Sequence, residues 1–318
     1  MCRALDARTI EAQIELSEIP APPFEEAARG ARIAELFGEI GLEIETDGVG
    51  NVIGRRADDT QDAPLVVSAH LDTVFPPDTD VSVARDGDIL RGPGISDDAR
   101  GLAALLTVAR VVQKEEITTR RPIRFVATVG EEGIGDLRGV KHLFSAEGSC
   151  RNAAGFISLD GAGIERIVTR GLGSRRYRIT ASGPGGHSWV DWGTPNPLHA
   201  ILELGARLVS MELGTNPVET LTVARTGGGK SINAIPQRAW IEIDTRCEQP
   251  DRLDRLERQI RMEVERTAKT AGVEFVLEVV GDRPAGSTRA DTELVRAAIE
   301  ATEAVGRRPQ LATSSTDA

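Results

Sequence analysis

Residues 65–69 (LVVSA) are almost wholly apolar, and His70, Leu71 and Asp72 follow at once. A run that is apolar on both faces is the mark of a strand buried on both sides, as in a parallel sheet covered by helices. Ending it in His-x-Asp puts an imidazole and a carboxylate at the strand's carboxyl edge. Residues i and i+2 lie on one side of a strand, so the two side chains can touch. An imidazole with a carboxylate on its far ring nitrogen is a metal ligand with its orienting partner.

Two more runs of this kind follow. Residues 122–130 end at Glu131-Glu132, and residues 156–159 end at Asp160-Gly161. Between the runs, residues 98–113 have helical spacing with Leu102, Leu105, Leu106, Ala109 and Val112 inward, and 137–144 form a second helix. Strand alternating with helix implies an α/β domain with a mostly parallel sheet. Ligands bind outside the carboxyl ends of such strands. His70, Glu131, Glu132 and Asp160 all fall there, with Asp97 in a loop leading into a helix. Upstream, helices are expected at 5–18 and 24–40. The second has Ala28, Ala31, Ile33, Leu36, Phe37 and Ile40 as its face and Gly41 as its C-terminal cap. Short strands at 42–46 and 51–54 follow.

The pattern changes after residue 171. Strand 176–181, helix 197–212, strands 219–225 and 239–245, helix 252–270 and strand 273–280 give βαββαβ, the ferredoxin-like order. This reads as a domain at 172–281 inserted into an α/β domain made of 1–171 and 282–318, with a helix near 291–304.

The net charge of −11 and an aromatic content of 3% argue against a nucleic-acid partner or an anionic membrane surface. Three cysteines far apart make no disulfide framework, so a reducing cytoplasm is expected. There is no signal-peptide pattern, and no run approaches the roughly 18 apolar residues of a membrane span.

Taken singly, each polar motif has a plain structural reading. Asp97-Asp98 can cap a helix, Glu131-Glu132 can be a solvated corner, and Asp160-Gly161 can be a turn. Their convergence at the ends of one sheet is different, because paired acids repel unless a cation lies between them. Imidazole and carboxylate ligands suit zinc, and also cobalt or manganese. A carboxylate can bridge two ions that share an acidified water, and a free carboxylate such as Glu131 can then carry a proton to a leaving amine. Two glycine motifs are decoys. Gly227-Gly228-Gly229-Lys230-Ser231 has Ala224 where a phosphate loop needs its first glycine, and Gly92-Pro93-Gly94 has Asp97 where a dinucleotide fingerprint needs its third.

The motifs SAHLDTV (68–74), GPGISDDARG (92–101), TVGEEG (128–133), LDG (159–161), GPGGHSW (183–189), SINAIP (231–236) and DTR (244–246) occur in that order across nearly the whole chain. In this the chain resembles the co-catalytic zinc exopeptidases and amidohydrolases, which include carboxypeptidase G, peptidase T, aminoacylase, acetylornithine deacetylase and succinyl-diaminopimelate desuccinylase. The resemblance implies a zinc-exopeptidase-like catalytic domain with an inserted lid that pairs two chains as a homodimer. It implies His70, Asp97 and Asp160 on one Zn2+, and Asp97 and Glu132 on a second. Asp72 then orients His70, Glu131 is the general acid/base, His187 of the lid supports the oxyanion, and Asn233 and Arg246 hold the substrate's carboxylate. His142 and His199 are surface or helix residues. The implied reaction is cleavage of an amide in a small peptide or N-acyl amino acid by a metal-bound hydroxide. The 20–51 segment and the Asp97-Asp98 pair look closest to peptidase T-like members.

Two departures stand out. Arg100 occupies a place where many relatives have Lys. The family's last histidine ligand lies beyond a Ser-Thr-Asp-Ala-like segment, and here no histidine follows His199. The expectation is a C-terminally truncated chain with an incomplete second site, the alternative being a non-catalytic zinc-binding remnant.

Overall fold

A computed structural model describes residues 5–57, 62–161 and 163–317. In chain order its first elements are α1 (Asp6–Ser17), α2 (Ala27–Ile40), β1 (Glu43–Thr46), β2 (Val52–Arg55), β3 (Leu65–His70), β4 (Ala84–Asp86), β5 (Ile89–Arg91), α3 (Ala99–Lys114), β6 (Ile123–Thr128), α4 (Arg138–Leu143), β7 (Gly155–Ser158) and β8 (Arg166–Gly171). Then come β9 (Gly173–Ser182), β10 (Gly186–His187), α5 (Pro197–Val209), β11 (Glu219–Gly228), β12 (Ala234–Ile235), β13 (Arg238–Cys247), α6 (Pro250–Ala271), β14 (Glu274–Arg283), β15 (Gly286–Ser287), α7 (Glu293–Ala304) and β16 (Gln310–Ser314).

The chain divides into two compact units. The first holds Met1–Arg166, Glu300–Pro309 and Thr316–Ala318, and the second holds Ile167–Ile299 and Gln310–Ser315. The first unit is built on a five-stranded sheet of order β1-β2-β6-β3-β7. β3 runs parallel to both β6 and β7, while β1 and β2 are antiparallel additions on one side. As the apolar run requires, β3 is buried along nearly its whole length. On one face α1, α2 and α3 supply Leu16, Ile33, Phe37, Leu102, Leu105 and Leu106, all fully buried. Each such side chain contributes about 1.5–3 kcal/mol by leaving water. A smaller cluster with Val66, Val126, Leu143 and Cys150 covers the other face.

The expected face of α2 needs correction. Ala28 and Ala31 are exposed, and the inward stripe is Arg29, Gly30, Ile33, Leu36 and Phe37. The stripe includes a charge because Arg29 finds acceptors inside: Nε donates to Ile19 O at 3.0 Å and Nη1 to Leu71 O at 2.7 Å, while Nη2 reaches Ser17 O and Ile19 O. Burial draws the Arg29 pKa down to about 10, against the opposing pull of Asp72 and Asp98. Gly41 caps α2 in the left-handed conformation at φ 90°, as expected.

In the second unit, β9-α5-β11-β13-α6-β14 follow the ferredoxin-like order, and the four strands pair antiparallel as β11-β13-β9-β14. On β13 burial alternates residue by residue, so Ala239, Ile241 and Ile243 face α5 and α6, and the other face carries Trp240 among charged residues. Pro197 and Pro250 open their helices at the first turn, where a missing N–H costs nothing. A three-stranded sheet, β15-β8-β16, was not anticipated from the sequence. Its strands are short or exposed and carry no apolar run that would announce them. Among the described residues no helix is long and apolar enough to cross a membrane.

Arg29→Met should lower unfolding free energy by about 3–5 kcal/mol, because it strands the carbonyls of Ser17, Ile19 and Leu71. Arg32→Met, on the outer side of the same helix, should cost about 0–1 kcal/mol. Urea titrations of both variants check the contrast.

Candidate metal centre

The parallel strands β3, β6 and β7 end side by side, and the polar residues of three motifs leave from those ends. His70 is the last residue of β3 and is fully buried. Its backbone N–H donates to Asp98 Oδ2 at 2.9 Å, and Asp98 Oδ1 accepts the Gly101 N–H at 3.0 Å as the N-cap of α3. One carboxylate therefore ties the end of β3 to the start of α3. Gly101 makes this approach possible, since a Cβ there would lie 2.1 Å from both Asp98 Oδ1 and Leu159 O. Of the acidic pair, Asp98 is the buried cap, and Asp97 is left exposed to face the imidazole.

His70 Nε2 lies 3.0 Å from Asp97 Oδ1 and 3.9 Å from Asp160 Oδ1. Donor atoms of His70, Asp97 and Asp160 lie within 4.8 Å of one another, and so do donor atoms of His70, Glu131 and Glu132. The structure thus brings five of the expected groups together. It adds Glu131 to a second donor set, where the resemblance implied Asp97 with Glu132.

The resemblance has Asp72 orienting His70, and two contacts join that pair. His70 Nδ1 bonds to the Asp72 backbone carbonyl at 2.9 Å, and the carboxylate stands farther away, at 3.8 Å. That carboxylate is used elsewhere: Oδ1 accepts the Glu131 N–H at 2.9 Å and Oδ2 accepts the Glu132 N–H at 2.7 Å. The reason is geometric. β3 ends at His70, so the chain turns before Asp72 and presents its main chain to the ring. Asp72 therefore steers the ring with its carbonyl and the Glu131-Glu132 corner with its side chain.

Asn51 was missed in the sequence. It is fully buried, its Oδ1 accepts the Val129 N–H at 3.0 Å, and its Nδ2 donates to Gly139 O at 3.0 Å and Asp47 Oδ2 at 2.7 Å. It braces the chain just before Glu131. Nothing in a short Gly-Asn turn sequence signals this.

The donor set fits a divalent cation. With Nδ1 donating to a carbonyl, Nε2 on the carboxylate side is the nitrogen that can exchange its proton for a metal ion. Burial opposes charge on His70, yet Asp97, Asp98, Asp72 and Glu131 together raise its pKa well above the ordinary value. Glu132 is pushed up to about 7, first by burial and then by the charges of Glu131 and Asp97. A cation relieves this repulsion, and competes with protons for the same donors.

Three expected site residues lie in the second unit. His187 is exposed at the end of β10, where it pairs with Ala234 of β12. Its Nδ1 accepts the N–H groups of Trp189 at 3.2 Å and Val190 at 3.4 Å, so a neutral ring carries its proton on Nε2. Asn233 is exposed, with its Oδ1 accepting from Ser231 Oγ at 2.6 Å, and its carbonyl accepts the Ser188 N–H at 3.0 Å. His187 and Asn233 therefore share one small platform. Arg246 lies on the polar face of β13, where Nε donates to Asp244 Oδ2 at 2.8 Å. His142 is half-buried on α4 and His199 is exposed on α5, as expected.

Adding Zn2+ to metal-free protein should raise its melting temperature and release protons. At about 1,000 times Kd the gain is about 4 kcal/mol. His70→Ala should remove most of that gain. Calorimetry in two buffers of different ionisation heat, with thermal melts, measures both effects.

The sequence profile of Peptidase family M28 matches residues 51–174, and that of the peptidase dimerisation domain matches residues 171–271. The chain is 25% identical to the uncharacterised protein YqjE of Bacillus subtilis, over 97% of this chain and 85% of that one. It is 28% identical to succinyl-diaminopimelate desuccinylase of Maricaulis maris, over 83% and 71% of the two chains. The fold superimposes on a tripeptidase from Staphylococcus aureus with a TM-score of 0.78 at 23% identity, covering 98% of this chain and 86% of the other. The two matches run end to end over residues 51–271 and indicate a metallopeptidase or amidohydrolase enzyme.

Proposed function

We propose that the enzyme hydrolyses the amide bond of small peptides or N-acyl amino acids at a centre of two divalent ions, with zinc as the metal and cobalt or manganese as substitutes. The observation that carries this reading is the convergence of His70, Asp97, Asp160, Glu131 and Glu132 at one sheet edge. His70, Asp97 and Asp160 would hold one ion, and Asp97 and Glu132 would hold the other. Bound ions would supply Lewis acidity to the scissile carbonyl and lower the pKa of water.

Glu131 takes a proton from the attacking water and passes it to the departing amine nitrogen. Its backbone N–H on Asp72 fixes where that carboxylate starts. His187 donates from Nε2 to the oxyanion, a role supported by the two N–H groups on its Nδ1. Arg246, oriented by Asp244 through Nε, and Asn233 receive the substrate's free carboxylate. In this reading 1–171 and 282–318 act as the catalytic domain. Residues 172–281 act as a lid through which two chains pair, and the buried free thiols of Cys150 and Cys247 suit a reducing cytoplasm.

Glu131→Gln should lower kcat at least about a hundredfold while zinc stoichiometry stays the same, the range expected for loss of an acid/base group. If the variant loses an ion instead, Glu131 is a ligand. Bound zinc without turnover of any di- or tripeptide or acyl amino acid would favour the non-catalytic remnant. Light scattering should give twice the chain mass.

A further inference from the structure

Asp317 is a buried acid that lacks the main-chain anchors of its neighbours. It belongs to the first compact unit, as the metal-binding cluster does, and is 5% exposed. Asp72 and Asp98 are buried as deeply, and each holds two main-chain N–H groups. Neither carboxylate oxygen of Asp317 makes a hydrogen bond of good geometry among the described residues. A carboxylate that gives up its water and gains no donor lowers stability, and such a group points to a partner it has yet to meet. Ser158 supplies the hydroxyl that faces it, and Ser158 Oγ is buried and unpartnered as well. Ser158 is the last residue of β7, in register with Ser68 of β3, and the Leu159 N–H donates to Ser68 O at 2.8 Å. Asp160 leaves from that same end and comes within 3.9 Å of His70 Nε2. The Asp317 carboxylate therefore stands at the sheet edge that carries the ligands, on the β7 side, and it is a member of neither donor set. Burial pushes its carboxyl upward, Ser158 and His70 pull it down, and Asp160 pushes it up again. Asp98, raised first by burial, feels the charge of Asp317 in turn.

We propose that Asp317 is a positioning residue of the metal centre, a buried negative charge that strengthens divalent-cation binding at His70, Asp97 and Asp160 without touching the ion. The inference rests on the reading that those three residues hold a cation. Charges buried in protein are screened far less than charges in water, so a carboxylate behind the ligands acts on the ion across the intervening atoms. In the metal-free protein Asp317 meets only other acids, and repulsion from Asp160 and Asp98 adds to its lost hydration. A doubly positive ion beside His70 reverses the sign of that balance, because the same buried charge then attracts. Asp317 thus weakens the metal-free fold and tightens the metal-bound one. An acid kept only for packing would do the opposite, since removing it would lower the stability of the metal-free chain. The Ser158 hydroxyl can donate to the ionised carboxylate, which leaves the charge in place at the end of β7.

The test titrates the metal-free full chain with Zn2+ against a competing chelator and records its thermal melt before any metal is added. Asp317→Asn keeps the size and shape of the side chain and removes the charge. Its affinity for the tighter ion should fall about tenfold to a hundredfold, the range for a group that supports a ligand from behind. Zinc stoichiometry should match the parent's, and the metal-free melting temperature should hold or rise. The visible spectrum of the Co2+ form should keep its shape, because no ligand is lost. Ser158→Ala, which leaves the charge in place, should change the affinity far less. A lower metal-free melting temperature in Asp317→Asn marks a packing residue and overturns the proposal, and so does an unchanged affinity. Loss of an ion or an altered Co2+ spectrum makes Asp317 a ligand, which overturns it too. An equal loss in Ser158→Ala overturns the role of the charge in favour of the hydrogen bond. A parent chain that binds no Zn2+ overturns the metal reading itself, whereas unchanged affinity in the variant leaves that reading standing.

Discussion

Four carboxylates face one buried imidazole, and much of the first unit serves to hold them there against their own repulsion. Asp97 and Asp160 approach Nε2 of His70, while Glu131 and Glu132 form a second donor set with the ring. Left to themselves these groups would rotate apart or protonate, and burial, with the charges of Glu131 and Asp97 added, pushes Glu132 up to about 7. The backbone around them resists the first. Asp72 grips two consecutive N–H groups, Asp98 grips the N–H groups of His70 and Gly101, and Asn51 grips the N–H of Val129. In each case a buried side-chain oxygen is satisfied by main-chain donors, so the anchors are not themselves drawn to a cation. The ligands are held by carboxylates and an amide that are occupied elsewhere.

The same logic explains the buried charge on α2. Arg29 binds carbonyls rather than carboxylates, including that of Leu71 between His70 and Asp72. Its positive charge lies behind the anchors, and Asp72 and Asp98 are the acids whose field it feels most. A cation at this depth offsets the anchoring carboxylates without competing for the ligating ones. That arrangement keeps the supports apart from the ligands and leaves the ligands free to meet a metal.

The division between what the sequence discloses and what it hides follows from this. Strands that are apolar on both faces, and polar residues at their ends, are visible because burial and ligation impose residue types. The parallel triplet of strands and the cluster His70, Asp97, Glu131, Glu132 and Asp160 were legible for that reason, as was the ferredoxin-like order of the second unit. Hydrogen bonds to the main chain impose far less. A carboxylate that holds an N–H looks the same in a sequence as one that holds a ring nitrogen, so the bonds of Asp72 to the Glu131 and Glu132 N–H groups leave no sign there. Arg29 was detectable in principle, since it falls four residues before Ile33 on the inward stripe, but a charge on that face reads as an error in the face. Asn51 gave no signal at all, and the strands of the three-stranded sheet lack an apolar run.

The second unit applies the principle of main-chain support to a side chain that must stay exposed. An exposed histidine has no packing to fix its tautomer, so the choice falls to whatever touches Nδ1. Here two backbone N–H groups do so, and the proton is left on Nε2, facing outward as a donor. Arg246 is treated alike: Asp244 holds its Nε and also accepts from Arg176 Nε at 3.1 Å, so one carboxylate positions two guanidinium groups across neighbouring strands. Both expected substrate-facing groups are thus oriented before any ligand arrives, which lowers the entropic cost of engaging one. In the short turn that achieves this, Asp191 folds back onto the His187 N–H, while Trp189 and Trp192 stay exposed.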